Sequence, residues 1–480
     1  MPSIKKNVGW SSILTTANYV FPLITYPYVS RVLGVANIGI CNFVDSVIDY
    51  YCLFSMMGIS YVAIREVANS KGDKNMLSQT CSSLLALNMI TTIIVIFVLI
   101  ASIFLVPRFH EHYNLLLIGV FKVLFNTLSL EWLYRGLEDF RYITVRSIII
   151  RIVYVFSVFV FVREGNDYAI YYLLLTLTIV ANSLVNLGHS RKYVRISLKG
   201  IRFTSIIKPF FILGVYQLLT SLYKTFNIVF LGFEGGNEQV GYYTTATKMH
   251  GIFLALFTAF TSVMMPRMTS LVAEGKRKEF DSLFKKSVLI LFSFSAPLIL
   301  LGVIFSDQII HIIAGGGYDS ASPCMQLVMP LVFIIGYEQI LVYQILMPIK
   351  KDKSIFINSI IGAVVGLALN LILVPLLHSI GSSLVWLISE LVVLISAQCF
   401  VNKYVNMSFP YKTALKYILI YIPLACILVL FHNWNPIKND LTVFVAGLLT
   451  FMYFIVVEIA IQKNEFIVNY FSKLKSKINI

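Results

Sequence analysis

Apolar runs long enough to cross a bilayer, about 20 residues at 1.5 Å rise per residue, alternate with short polar connections along the whole 480-residue chain. They fall at residues 9–30, 38–63, 81–106, 113–133, 143–162, 168–188, 209–231, 241–266, 287–306, 323–347, 355–376, 382–400, 414–431 and 441–461. This pattern predicts an all-α polytopic membrane protein with fourteen transmembrane helices. An even number of crossings puts both termini on one face. The first run follows Lys5 and Lys6, exceeds a signal-peptide core and lacks an A-x-A site, so it is expected to remain as an uncleaved helix.

Composition sharpens the class. Charged residues make up 13% of the chain, about half of the ~25% usual in soluble domains, which excludes enzymes that need a large aqueous domain. The net charge of +15 would suggest a nucleic-acid partner in a soluble protein, but its placement explains it otherwise. Of 38 Lys and Arg, 28 lie in connections on the N-terminal side and four (Arg31, Arg108, Arg163, Lys438) on the other. Cytoplasmic loops retain positive charge, so both termini are read as cytoplasmic and no nucleic acid is expected. The six cysteines include no CxxC pair and read as packing residues. P-loop, GxSxG and HExxH motifs and metal-ligand clusters are missing, so no cofactor and no metal are expected.

Spacings recur between the first six spans and the next six. Leu33-Gly34 precedes Gly39, and Arg65 follows Gly39 by 26 residues; Leu231-Gly232 precedes Gly241, and Arg267 follows Gly241 by 26. Arg141 and Ser147 are six apart, as are Lys353 and Ser359. A duplicated transporter half is the reading: two six-helix bundles related by a pseudo-two-fold axis along the membrane normal, plus two C-terminal helices. The expected domains are an N-terminal lobe at 1–188, a basic cytoplasmic linker at 189–208, a C-terminal lobe at 209–400, and two further helices with a tail at 401–480. The linker's charge serves orientation or contact with lipid headgroups.

Six cations remain at membrane depth: Lys122, Arg146, Arg151, Lys224, Lys248 and Lys416. A charge at the bilayer centre costs about 2.5 to 3.5 kcal/mol on insertion scales, so it faces a cavity or a partner. Lys224 and Lys248 are both placed about 10 to 12 Å below the outer surface, where two cations repel unless an anion joins them. Gln217, Ser221 and Lys224 form one polar stripe; Ser11, Thr15 and Asn18 form a second, and Asn42, Asp45 and Asp49 a third. Arg151 lies about 12 Å inside the cytoplasmic surface, too deep to snorkel comfortably, and its fork suits phosphate oxygens. Arg146 either snorkels or faces the cavity, and Lys122 is placed to pair with Asp45. Asp45, Asp49, Glu338 and Glu390 are candidates for proton or sodium coupling, or else structural acids held in ion pairs or neutral hydrogen bonds.

In their order these residues resemble a known family. Asn18-Tyr19, Pro22, Pro27-Tyr28, Arg31, Leu33-Gly34, Gly39, Gly58, Arg65-Glu66 and Ala68 are similar to its opening block. The stretch from Glu131 to Phe140, then Tyr142-Ile143-Thr144 and Arg146-Ser147, resembles its fourth-to-fifth-helix segment. Val240-Gly241-Tyr242-Tyr243, Ala246, Lys248, Pro266-Arg267, Asn370, Pro375, Gly381 and Ser389-Glu390 continue the pattern. The family is the Wzx-type flippases of O-antigen and capsular repeat units, in the superfamily of multidrug and toxin extruders and the lipid II flippase. One departure is Asn227, where members often carry Asp.

The resemblance implies a substrate of undecaprenyl pyrophosphate bearing a short oligosaccharide, moved between leaflets of the bacterial inner membrane by alternating access. A polysaccharide polymerase and a chain-length regulator are the implied partners, beside membrane lipids. Buried cations meet the need of an anionic headgroup, with Arg151, Arg146, Lys224, Lys248, Asn18 and Gln217 as its expected contacts. The alternatives are an ion-coupled multidrug or metabolite extruder of the same fold, which a cationic cavity disfavours for cationic drugs, and a membrane polymerase or glycosyltransferase. The latter lacks a scaffold, since the longest outer connection is about 17 residues, Ser306 to Ser322.

Overall fold

A computed structural model describes residues 4–197, 200–204, 206–434 and 440–461. Among them every regular element is helical: α1 (Ile4–Met56), α2 (Ile59–Ser70), α3 (Lys74–Leu105), α4 (Pro107–His110), α5 (Tyr113–Leu128), α6 (Glu131–Gly136), α7 (Phe140–Phe161), α8 (Tyr168–Ser190), α9 (Ile207–Lys224), α10 (Phe226–Glu234), α11 (Gly236–Ala273), α12 (Arg277–Ile304), α13 (Ser306–Ala314), α14 (Ala321–Val328), α15 (Leu331–Gln339), α16 (Asp352–Val405), α17 (Tyr411–Trp434) and α18 (Asp440–Val456). A π-helical turn, Ile340–Leu346, continues α15. Ten helices among the described residues are long and apolar enough to cross a membrane.

Two of these exceed one crossing. The 54 residues of α16 would reach about 80 Å if straight, against a hydrocarbon core of about 30 Å. Each long helix is broken once, α1 at Gly34 (φ 75°) and α16 at His378 (φ 49°), so each consists of two helical segments. Gly34 takes the left-handed region that its missing Cβ permits.

Packing divides the chain into two compact units, one of Met1–Thr244 with Ser359–Ser389, the other of Thr245–Asn358 with Glu390–Ile480. In the first, α1 packs on α3, α5 and α7, and α5 on α8. Hydroxyls join three of these helices, Ser55 bonding Thr92 at 2.7 Å and Thr127 at 3.1 Å, because in lipid polar side chains find partners across helices. Phe97 and Phe104 of α3 stay exposed, as expected of rings that face acyl chains. Asp73 caps α3 through the main-chain N–H of Asn75 and Met76, and Asp139 caps α7 through Tyr142.

The repeat-related glycines meet inside this unit. A Cβ on Gly39 would lie 1.7 Å from the main-chain oxygen of Asn237, and one on Gly241 would lie 2.4 Å from that of Val35. Three residues further along each segment, Asn42 donates to Thr244 Oγ1 at 3.0 Å. Val35 and Asn237 each lie four residues before their glycine, so the contact is isologous, with matching positions facing each other. At the other end of this seam Gly58 N–H donates to the Phe210 carbonyl at 3.1 Å.

In the second unit α12 packs against α15, α17 and α18. Ser293 and Tyr417 share a 2.7 Å hydrogen bond there, and Tyr337 OH donates to Gln398 Oε1 at 2.9 Å.

Candidate functional site

Polar side chains at membrane depth collect where α1 faces α5 and α9. Asp45 and Asp49, one turn apart on α1, both reach Lys122 of α5, whose Nζ lies 2.6 and 2.7 Å from their carboxylates. The Lys122 side chain is 10% exposed and that of Asp49 is 61% exposed, so a buried ammonium is clamped by carboxylates of which one opens onto a cavity. Ionised, the trio carries a net charge of −1. Asp49 also lines a cavity of about 390 Å³ with Ser46, Tyr50, Gln217, Thr220 and Thr225. Tyr50 OH donates to the Ser221 carbonyl at 3.0 Å, pinning the two walls together.

The structure therefore brings Asp45, Asp49 and Gln217 into one neighbourhood, from two of the polar stripes in the sequence. Ser46, Tyr50 and Thr220 complete the cavity and were not singled out by the sequence. Their signal is spacing, since Ser46, Asp49 and Tyr50 stand at i, i+3 and i+4 on one helix face.

The cations of α7 lie apart from this trio. Arg151 is half-buried, donates from Nη1 to the Ala17 carbonyl at 3.4 Å, and forms no ion pair among the described residues. Asn18, next along the chain, is exposed. Arg146 is buried, with Nη2 on Ser147 Oγ at 3.0 Å and its guanidinium 5.9 Å from the Tyr142 ring centroid. Its Nε and Nη1 have no hydrogen-bond partner among the described residues.

Lys224 closes α9, and its side chain lies outside the described residues. Lys248 (half-buried on α11), Glu338 (buried on α15) and Glu390 (fully buried on α16) all belong to the second unit. Asn227 is fully buried in the first; its Oδ1 accepts from Asn370 Nδ2 at 2.7 Å, and its Nδ2 donates to the Ser382 carbonyl at 3.4 Å. A neutral amide network thus occupies the place where the resemblance has a carboxylate.

Comparisons with known proteins agree with this architecture. The polysaccharide biosynthesis protein family matches residues 4–272, and the MatE family matches residues 213–372. The "Putative O-antigen transporter" of Escherichia coli strain K12 is 25% identical over 82% of this chain and 95% of its own length. The "Probable low-salt glycan biosynthesis flippase Agl15" of Haloferax volcanii is 21% identical over 55% of this chain and 56% of its own. The lipid II flippase MurJ, in an inward closed conformation, superposes with a TM-score of 0.80 over 95% of this chain and 99% of that one, at 14% identity. That likeness shows the fold, a two-lobed helical transporter fold. The family match spans more than half of the sequence, and the chain belongs to the polysaccharide biosynthesis protein family.

Proposed function

We propose that the protein is a flippase that carries an oligosaccharide linked to undecaprenyl pyrophosphate from the inner to the outer leaflet of a bacterial inner membrane. The observation that carries this reading is Arg151, a membrane-depth guanidinium set on a main-chain carbonyl and in no ion pair among the described residues; Glu131, whose charge acts on it, is bonded to Arg135. A pyrophosphate is poorly soluble in hydrocarbon, and a two-pronged donor in a medium of low dielectric offsets the loss of its water. The likeness, over 82% of this chain, to a relative named for O-antigen transport supports the same substrate class.

Arg151 with Arg146, Asn18 and Gln217 would receive the headgroup, and Lys224 with Lys248 would take it over as the lobes rock, while the polyprenyl tail stays in lipid. Asp45, Asp49, Glu338 and Glu390 are the acids through which protons or sodium would drive the cycle. Fourteen crossings follow if α1 and α16 each cross twice, α9 with α10 once and α11 once, beside the eight other long helices. Charge placement then puts both termini in the cytoplasm, with lobes at 1–188 and 209–400 joined by the linker at 189–208 and followed by 401–480. The product would pass to a polymerase and its chain-length regulator.

The test is complementation of a strain lacking this gene. Arg151→Gln, and separately Lys224→Ala with Lys248→Ala, should abolish surface polysaccharide at unchanged protein level. Unchanged polymer in both variants refutes the reading.

A further inference from the structure

A second cavity, of about 730 Å³, opens at the end of the first unit that holds the start of α1. Four segments far apart in sequence build it: the first turns of α1, the turn from α2 into α3, the turn from α6 into α7, and Tyr193 just after α8. They bring in four cations, Lys6, Lys71, Lys74 and Arg141, against two carboxylates, Glu138 and Asp139. Both carboxylates are already committed. Glu138 pairs with Lys71 at 3.5 Å. Asp139 caps α7 through Tyr142 N–H and accepts from Tyr193 OH at 3.1 Å. Lys6, Lys74 and Arg141 form no ion pair among the described residues.

The walls are also formed for a ligand. Trp10 and Tyr193 present aromatic rings with polar edges, the side chains suited to a membrane–water boundary. Glu138 is held at φ 62°, a left-handed conformation that costs energy in a non-glycine residue and is tolerated where the surroundings fix it. The volume lies within the roughly 300 to 1,000 Å³ of small-molecule sites, enough for a headgroup and too small for a polymer.

We propose that this cavity binds the phosphorylated headgroup of a membrane lipid at the cytoplasmic surface, before the headgroup reaches membrane depth. The inference rests on the proposed function only for the orientation of this face. A pyrophosphate fits best, because its several oxygens can bridge Lys6, Lys74 and Arg141 at once, and Lys71 joins them by exchanging Glu138 for phosphate. Polyprenyl pyrophosphate and phosphatidylglycerol share the required chemistry, and the assay separates them.

The full-length protein in detergent is titrated with farnesyl pyrophosphate and, separately, with dioleoylphosphatidylglycerol, and binding is read by native mass spectrometry. The triple variant Lys6→Ala/Lys74→Ala/Arg141→Ala should bind its preferred probe about tenfold more weakly or worse, with an unchanged melting temperature because all three side chains are exposed. The single reversal Lys74→Glu should weaken binding in the same direction. Tighter binding of farnesyl pyrophosphate identifies the lipid-linked substrate, and tighter binding of phosphatidylglycerol identifies bulk lipid as the source. Binding of neither probe, or equal affinity in wild type and both variants, overturns the proposal. Complementation with Arg151→Gln reads the flippase proposal, whereas probe binding by the Lys6, Lys74 and Arg141 variants reads this one, so failure of this inference and failure of the flippase reading give different results.

Discussion

Replacing Asp45 and Asp49 together by Asn should be the most damaging change in the first unit. Lys122 Nζ lies 2.6 and 2.7 Å from the two carboxylates, and its side chain is only 10% exposed. Without them the ammonium is buried and uncompensated, a situation worth about 3 to 5 kcal/mol. Asp49→Asn alone should cost about 1 kcal/mol or less, because Asp49 is 61% exposed and Asp45 still holds the lysine. The triple variant Lys122→Met/Asp45→Asn/Asp49→Asn removes all three charges with little change of volume and should recover most of the loss. Thermal melting of the purified variants in detergent would give the order: wild type, Asp49→Asn and the triple close together, the double far below. A double variant that melts with wild type refutes the argument that the ammonium needs its acids. The triple also separates structure from coupling, since a stable triple that still exports polysaccharide leaves these acids no part in driving transport.

Other consequences can be checked as directly. Asn227→Asp would bury a carboxylate against the Ser382 carbonyl, so its melting temperature should fall further as pH rises and the acid ionises, and sodium should restore it if the site accepts a cation; a pH-independent melt would show that the carboxylate is hydrated. Gly39→Ala places a methyl 1.7 Å from the Asn237 oxygen and should cost about 1 to 3 kcal/mol or more by melting. The Asp167 carboxyl is held below the usual carboxylate range by the N–H groups of Arg163 and Glu164, 2.8 and 2.9 Å away. A pKa lowered by folding stabilises above the unfolded value and the effect is lost as pH falls, so the hydrogen-exchange protection factors of residues 163–167, taken relative to the intrinsic rate at each pH, should fall on acidification, and Asp167→Asn should abolish that dependence.

The helical class of the chain and the breaks in its two longest helices were legible because apolar run length is a property of the sequence alone, the break at His378 falling in the gap between the runs 355–376 and 382–400. The break of α1 falls at Gly34, within the Leu33-Gly34 pair. Depth arithmetic put Lys122 level with Asp45 but gives no rotation about a helix axis. The clamp therefore extends to Asp49, and Arg146 turns onto Tyr142 in protein instead of reaching the interface. Tyr50 was missed for a related reason: an aromatic in an apolar run reads as packing until its hydroxyl finds a carbonyl on another helix. The basic cavity was invisible for a different one, because Lys6, Lys74 and Arg141 each count as ordinary loop cations until three distant turns converge. The meeting of Gly39 with the segment around Gly241 had a visible trace in the repeat, but a shared spacing does not state that the two positions touch.

That meeting restricts how the chain can change. Each glycine lies against backbone supplied by the segment of the other, so neither position can acquire a methyl without dislodging the counterpart it resembles. Two sites that share a spacing are thereby held to the same residue by steric necessity. A compensating shortening elsewhere cannot restore the fit, because the obstructing atoms are carbonyls that every amino acid carries.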